Sequence, residues 1–117
     1  MKVKKNKYSL TCKMTKQNLK MTLWNNFKFY MKQFYYTYIL KSLKDRKNYT
    51  GYTENLKLRF KQHQDGKVES TKNRRPLKLI YFEGCLNKKD AKKREKYFKT
   101  YYGKMFLKKR LESYSTG

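Results

Sequence analysis

Acidic residues are scarce in this chain: eight Asp and Glu stand against 32 Lys and Arg in 117 residues, for a formal net charge of +24. A surface with so few carboxylates repels itself unless a polyanion lies against it, and nucleic acid is the commonest polyanion in a cell. The imbalance therefore favours a nucleic-acid partner. Charge alone does not separate an enzyme from an architectural or ribosome-associated protein.

Cysteines and long apolar runs are also rare. Cys12 and Cys85 lie far apart, and neither belongs to a CxxC or Cys/His cluster, which argues against zinc and disulfide sites. No stretch approaches the roughly 18–20 apolar residues that span a bilayer, and the basic N-terminus lacks the apolar run of a secretory signal. We expect a cytoplasmic monomer that has no membrane partner and no small-molecule cofactor.

The composition changes along the chain. Residues 1–33 carry nine Lys and no acidic residue, without sustained periodicity, which predicts a basic, disordered extension. Residues 34–114 are predicted to form one domain, and Met31 is a candidate first residue of the domain. An alternative is that Leu23, Trp24 and Phe27 dock on the domain and complete its core.

The pattern within residues 34–114 predicts an α+β fold. Aromatic and β-branched runs, turn residues and helix caps predict elements in the order ββαβαα, a small three-stranded antiparallel or mixed sheet with packed helices. The predicted strands are 34–40, 49–52 and 77–83; the predicted helices are 56–64, 87–102 and 104–114. Gly103 is expected to break the second helix from the third.

Arg59 and His63 lie four residues apart on the first predicted helix, so both side chains project from one face. Arg suits phosphate because its planar fork offers two parallel donors. His63, the one histidine of the chain, can donate to a nonbridging oxygen or handle a proton. A solvated polar face is the alternative.

Glu95 shares a predicted helix face with Ala91, Phe98 and Tyr102, and we expect this face to pack on the sheet. A carboxylate there needs a partner because an unpaired buried charge is costly. The partner is either a lysine in a structural ion pair or a divalent cation, since Mg²⁺ takes hard oxygen ligands and often only one or two carboxylates.

Tyr38 and Tyr49 lie on the first two predicted strands, which a short turn joins, so their hydroxyls are expected to converge at one edge of the hairpin. A phenol with pKa near 10 is a poor base at neutral pH. A divalent cation and Arg59 nearby would favour the phenolate and so allow deprotonation of water. Gly51 is expected to let a phosphate or the first helix approach the backbone.

The segments YYTYILKS, NYTGYTENLKLRFKQH, STKNRRPLKLIYFE and DAKKREKYFK, in this order, resemble the GIY-YIG endonuclease domain. The resemblance spans about Phe34 to Leu111. It is strongest to small stand-alone bacterial members related to the N-terminal nuclease domain of the bacterial excinuclease ABC. It implies metal-dependent hydrolysis of DNA phosphodiester bonds with one Mg²⁺ or Mn²⁺ ion, and a role in DNA repair or recombination.

The same resemblance implies a role for each matching residue. Tyr38 and Tyr49 correspond to the two signature tyrosines, Arg59 to the helix arginine, His63 to the polar residue one turn later, and Glu95 to the metal-binding glutamate. The basic segment with Lys72, Arg74 and Arg75 is expected to hold flanking phosphates of structured or single-stranded DNA.

The chain departs from the family pattern in two places. Of the two signature triplets, the first retains only Tyr38 and the second only Tyr49 and Gly51. No asparagine follows Asn87, although the family carries one in its last motif, and Lys108 or Lys109 occupies that region. A basic nucleic-acid-binding module without catalytic activity is therefore the alternative function.

Overall fold

The structure, a computed structural model, describes residues 33–114 together with Leu23 and Asn25. The predicted disordered extension, Met31 and the docking of Trp24 and Phe27 lie outside these residues. The described elements are β1 Tyr35–Ser42, β2 Asn48–Thr53, α1 Leu56–Gln64, β3 Leu77–Cys85, α2 Lys88–Phe98 and α3 Tyr101–Arg110, with short 3₁₀ turns at Lys72–Arg74 and Glu112–Tyr114. The predicted order ββαβαα and the α+β class are confirmed.

The sheet is antiparallel throughout, with β1 between the edge strands β2 and β3. Five residues connect β1 to β2, which is too short for the crossover that a parallel pair requires. Tyr38 in the central strand lies opposite Gly51 of β2 and Phe82 of β3. The register thus places the first signature tyrosine directly across from the glycine of the second triplet.

Alternation along β1 divides the core between the two faces of the sheet. On one face Tyr38 and Leu40 pack with Leu77, and Leu56 and Phe60 of α1 cover them. On the other face Ile39 packs with Phe98 of α2 and Leu107 of α3. Helix α1 therefore lies on the Tyr38 face, and α2 and α3 lie on the opposite face.

Side-chain caps define where the helices begin. The carboxamide oxygens of Asn55 and Asn87 accept backbone N–H bonds at the starts of α1 and α2. Thr37 of β1 donates its hydroxyl to the carbonyl of Ala91, 2.6 Å away, and so attaches α2 to the central strand. Asn87 was the predicted cap of the second helix, and Asn55 was one of two candidates for the first.

The boundary between α2 and α3 differs from the prediction. Helix α2 ends at Phe98, Thr100 caps α3 by accepting from the N–H of Gly103, and Gly103 lies inside α3. A β-carbon on Gly103 would lie 1.9 Å from the carbonyl oxygen of Tyr97. Gly103 therefore allows the two helices to approach closely and does not break a helix.

The predicted apolar face of α2 needs one correction. Ala91 and Phe98 are buried and Glu95 is partly buried, as expected, but Tyr102 is 74% exposed. The chain turns after Phe98, so the periodicity of α2 does not extend to Tyr102.

Candidate active site

The hydroxyl of Tyr38 is the point at which three predicted site residues meet. His63 Nε2 lies 2.7 Å from this hydroxyl, and Arg59 donates to it from Nε over 3.4 Å. Both contacts come from α1, whose apolar residues Leu56 and Phe60 anchor it over β1. The predicted shared face of Arg59 and His63 is confirmed, and it points at Tyr38.

His63 is fully buried, so it does not lie on a solvated helix face. Its Nδ1 lies 2.7 Å from the hydroxyl oxygen of Thr71, which is also buried. Arg59 can only donate to the Tyr38 oxygen, so the Tyr38 proton finds its acceptor at His63 Nε2. We infer that His63 is the Nδ1–H tautomer and donates to Thr71.

Burial sets the protonation of this pair. Burial, and secondly the charge of Arg59, lowers the pKa of His63 from its ordinary 6.5 to about 4. Burial also raises the pKa of Tyr38 to about 12; Arg59 opposes this shift, while Tyr49 and Glu95 add to it. Both groups are therefore neutral at pH 7, and Arg59 alone does not produce the expected phenolate at Tyr38.

Gly51 has a different role from the one expected. A β-carbon at this position would lie 2.4 Å from both Cζ and the hydroxyl oxygen of Tyr38. The space beside Gly51 is thus filled by the Tyr38 ring, not by a phosphate or by α1. Gly51 lets this ring lie across the edge strand β2 while its hydroxyl meets His63.

Tyr49 completes an aromatic cluster on the α1 face. Its ring centroid lies 5.2 Å from that of His63 and 6.4 Å from that of Tyr38. Tyr49 is half-buried, whereas Tyr38 is 1% exposed. The two signature tyrosines converge as predicted, and Tyr49 is the more accessible to a solvent molecule.

Glu95 approaches the same site from α2. Its carboxylate is close enough to Tyr38 to raise the pKa of that phenol. The carboxylate is partly exposed and forms an i,i+4 ion pair with Lys99 at 3.5 Å. This long, exposed pair contributes little to stability, so Glu95 retains oxygen atoms for another cation. The described residues contain no group of three or more Asp, Glu, His or Cys that could hold a metal.

The predicted phosphate-binding segment is partly occupied by contacts within the fold. Lys72 pairs with Glu69 at 3.1 Å, and Arg74 pairs with Asp45 at 2.7 Å. The guanidinium of Arg74 also holds the pKa of Asp45 well below its usual range. Arg75 donates to the carbonyls of Lys72 and Gln64. These side chains brace the segment that carries Thr71, so phosphate contact is not their sole role.

Thr71 was missed from sequence. It lies in a polar loop, eight residues after His63, with no periodic pattern to join the two. Its one signal is a hydroxyl residue next to the basic segment. Only the packing of the loop against α1 reveals the contact.

Residues 34–111 match the family model of the GIY-YIG catalytic domain. The chain belongs to the GIY-YIG family. Membership indicates a nuclease domain that acts on DNA, in keeping with the convergence of Tyr38, Arg59 and His63.

Several bacterial proteins are similar to this chain. A UPF0213 protein of Clostridium perfringens (strain 13 / Type A) is 49% identical over 65 residues, covering 55% of this chain and 69% of the relative. A UPF0213 protein of Staphylococcus haemolyticus (strain JCSC1435) is 43% identical over 75 residues, covering 63% and 90%. UPF0213 protein YazA of Bacillus subtilis (strain 168) is 44% identical over 66 residues, covering 56% and 66%.

No solved structure matches the chain. Among the described residues, no helix is both long enough and apolar enough to cross a bilayer.

Proposed function

We propose that this protein is a divalent-metal-dependent endonuclease that hydrolyses DNA phosphodiester bonds, and that it serves DNA repair or recombination in the cytoplasm. One observation carries the catalytic proposal: Arg59 and His63 from α1 converge on the Tyr38 hydroxyl, within electrostatic reach of the Glu95 carboxylate. A cation, a neutral imidazole, phenols and a carboxylate are the groups that phosphoryl transfer to water uses.

Glu95 fits a single Mg²⁺ or Mn²⁺ ion. It is the carboxylate that acts on Tyr38, it is partly exposed, and its Lys99 partner is distant. Mg²⁺ commonly binds through one or two protein carboxylates together with substrate phosphate oxygens. When bound, such an ion would act as a Lewis acid on the phosphoryl group.

The other residues divide the remaining work. In hydrolysis a water oxygen bonds to phosphorus, the bond from phosphorus to one sugar oxygen breaks, and the leaving oxygen acquires a proton. Arg59 stabilises the negative charge that grows on the nonbridging oxygens, because its guanidinium is fixed against Tyr38 and Gln62. Positioning before the reaction avoids reorganisation during it.

The two tyrosines take different parts in handling water. Tyr49, the more exposed, positions the attacking water and accepts its proton, while Tyr38 holds the adjoining hydrogen-bond network through His63. Neutral His63 serves as the acceptor for Tyr38, because burial and Arg59 lower its pKa to about 4. Phosphate donation by His63 is thus secondary to its contact with Tyr38.

A second candidate is a DNA-binding module without catalytic activity. The Glu95–Lys99 ion pair favours it, as does the absence of an asparagine after Asn87. It shares the basic surface but not the need for a metal.

Replacing Arg59 separates these two functions. We expect Arg59→Ala to lower the cleavage rate roughly 10²–10³-fold, as for other donors to a transition state, with a much smaller change in DNA affinity. Lys57→Ala, which removes one exposed charge from the same helix, is the matched control. Rates and affinities are measured on one labelled DNA, and circular dichroism checks the fold. Equal loss of binding and cleavage in Arg59→Ala would contradict the assigned role.

A further inference from the structure

A cavity of about 460 Å³ lies between the start of β2 and helix α3. Its apolar lining comes from Phe98, Leu107 and Leu111, the first two of which also belong to the buried core. Asn48, Tyr49 and Thr50 line the side formed by the edge strand. Because Tyr49 belongs to both, the cavity adjoins the candidate active site.

The charged lining of this cavity has one sign. Four ammonium groups line it, from Lys47, Lys99, Lys104 and Lys108, and the lining drawn from the described residues includes no Asp or Glu. Lys99 extends back to the site through its ion pair with Glu95. An occupant therefore needs an apolar part for the leucines and phenylalanine and an anionic part for the lysines.

A nucleotide meets both needs. Its base has apolar faces that pack against side chains, and its edge accepts and donates hydrogen bonds within reach of a carboxamide such as that of Asn48. Its phosphates offer the negative charge. The volume lies within the roughly 300–1,000 Å³ of small-molecule sites, whereas a stacked base pair cannot enter without leaving its helix.

We propose that this cavity binds one unstacked nucleotide of single-stranded or frayed nucleic acid, next in the strand to the nucleotide at Tyr49. This inference rests on the proposed function and specifies its substrate class: strands with unpaired nucleotides beside the cleaved bond. The competing occupant is the sugar-phosphate backbone alone, which would use the lysines and leave the apolar lining without a role.

Binding measured in EDTA tests the cavity without any cleavage. The probes are a single strand of five thymidine nucleotides and a strand of the same length in which every base is absent, so that the number of phosphates is equal. We expect the chain to bind the strand with bases roughly fivefold more tightly, at the lower end of the affinity that base packing gives.

Leu111 tests the apolar lining because it is half-buried at the end of α3. We expect Leu111→Ser to abolish the preference for bases while keeping affinity for the abasic strand, and Leu111→Met to retain the preference. Thermal melting checks that both variants fold; if Leu111→Ser does not, the comparison of the two strands on the unaltered protein still decides the matter.

A pair of double variants tests the lysines. Lys104→Ala with Lys108→Ala should weaken binding of both strands more than Lys93→Ala with Lys96→Ala, which removes two exposed charges from α2. Equal affinity of the unaltered chain for the two strands, or equal losses in the two double variants, would overturn the cavity proposal. These results do not depend on catalysis, so loss of the nuclease proposal is detected separately, by an intact base preference without cleavage.

Discussion

At the scale of single residues, His63 is the side chain whose surroundings most determine its chemistry. Burial and Arg59 lower its pKa from 6.5 to about 4. Between these values the unfolded chain binds a proton that the folded chain does not, so the contribution of His63 to stability is full above pH 6.5 and falls as the pH drops towards 4. A neutral imidazole at pH 7 is what the Tyr38 proton requires.

Thr71 is expected to fix the tautomer of that imidazole. In Thr71→Val the hydroxyl is replaced by a methyl group, so Nδ1–H loses its acceptor and the tautomer with the proton on Nε2 becomes competitive. Because His63 is the only histidine in the chain, its ¹⁵N NMR shifts report the tautomer without assignment of other rings. We expect Nδ1–H in the unaltered protein, a shift towards Nε2–H in Thr71→Val, and a lower cleavage rate with unchanged KM.

Thr71→Ser is the matched control, because it keeps the hydroxyl and should retain both the Nδ1–H tautomer and the rate. The same tautomer in all three proteins would show that Thr71 only fills space beside His63.

The residues of this site were accessible from the sequence, but their partners were not. Tyr38, Tyr49, Arg59, His63 and Glu95 stand out by type and spacing, and a helical period of four places Arg59 above His63. The depth of His63 and the phenol that it contacts depend on how α1 packs over β1, a long-range contact that no local pattern contains.

At the scale of elements, the hairpin β1–β2 positions the site through its register. Tyr38 lies opposite Gly51, and the missing side chain of Gly51 leaves the space that the Tyr38 ring occupies. Gly84 on the other edge strand has a similar relation to Tyr36, but a β-carbon there would lie 3.2 Å from the nearest ring atom, which is a contact that a small adjustment relieves.

The two glycines therefore make a matched pair. We expect Gly51→Ala to displace the Tyr38 ring, break its contact with His63 and lower the cleavage rate by at least roughly 10²-fold, the scale expected for misplacement of a catalytic group. Gly84→Ala should leave the rate nearly unchanged. Cleavage rates and the His63 NMR signals are measured on both variants, and thermal melting records their stability. Equal effects of the two substitutions would show that the register does not position the site.

Element types were predictable, and one boundary was not. Alternation, caps and turn residues predicted all three strands and three helices. Gly103 suggested a break between helices, yet the break falls at Lys99 and Thr100, because Thr100 caps α3 and Gly103 lets α3 pack on the end of α2. A glycine needed for close packing and a glycine that ends a helix look alike in a sequence.

At the scale of the whole molecule, the excess of positive charge has several uses. Some cations are structural: Arg94 pairs with Glu83 and stacks over Phe98 with its guanidinium carbon 4.5 Å from the ring centre, and Arg74 pairs with Asp45. The four lysines of the cavity line a surface without carboxylates among its described lining residues. A net charge of +24 predicted a nucleic-acid partner but not this division of roles.

The sheet brings the two halves of the site together from opposite faces. Helix α1 supplies Arg59 and His63 on one face, α2 supplies Glu95 on the other, and Tyr38 of the central strand is influenced by all three. The proposed metal is the part of the account that this arrangement supports only through Glu95.

The most direct test is therefore cleavage of a labelled DNA carrying an unpaired stretch, by the unaltered protein and by Glu95→Gln, in Mg²⁺, in Mn²⁺ and in EDTA. The amide keeps the shape of the side chain and removes its charge, so the fold and the affinity for DNA in EDTA should be retained. The account predicts cleavage by the unaltered protein with either metal, none in EDTA, and none by Glu95→Gln in any buffer. Cleavage that persists in EDTA, or that Glu95→Gln carries out at the unaltered rate, would contradict it.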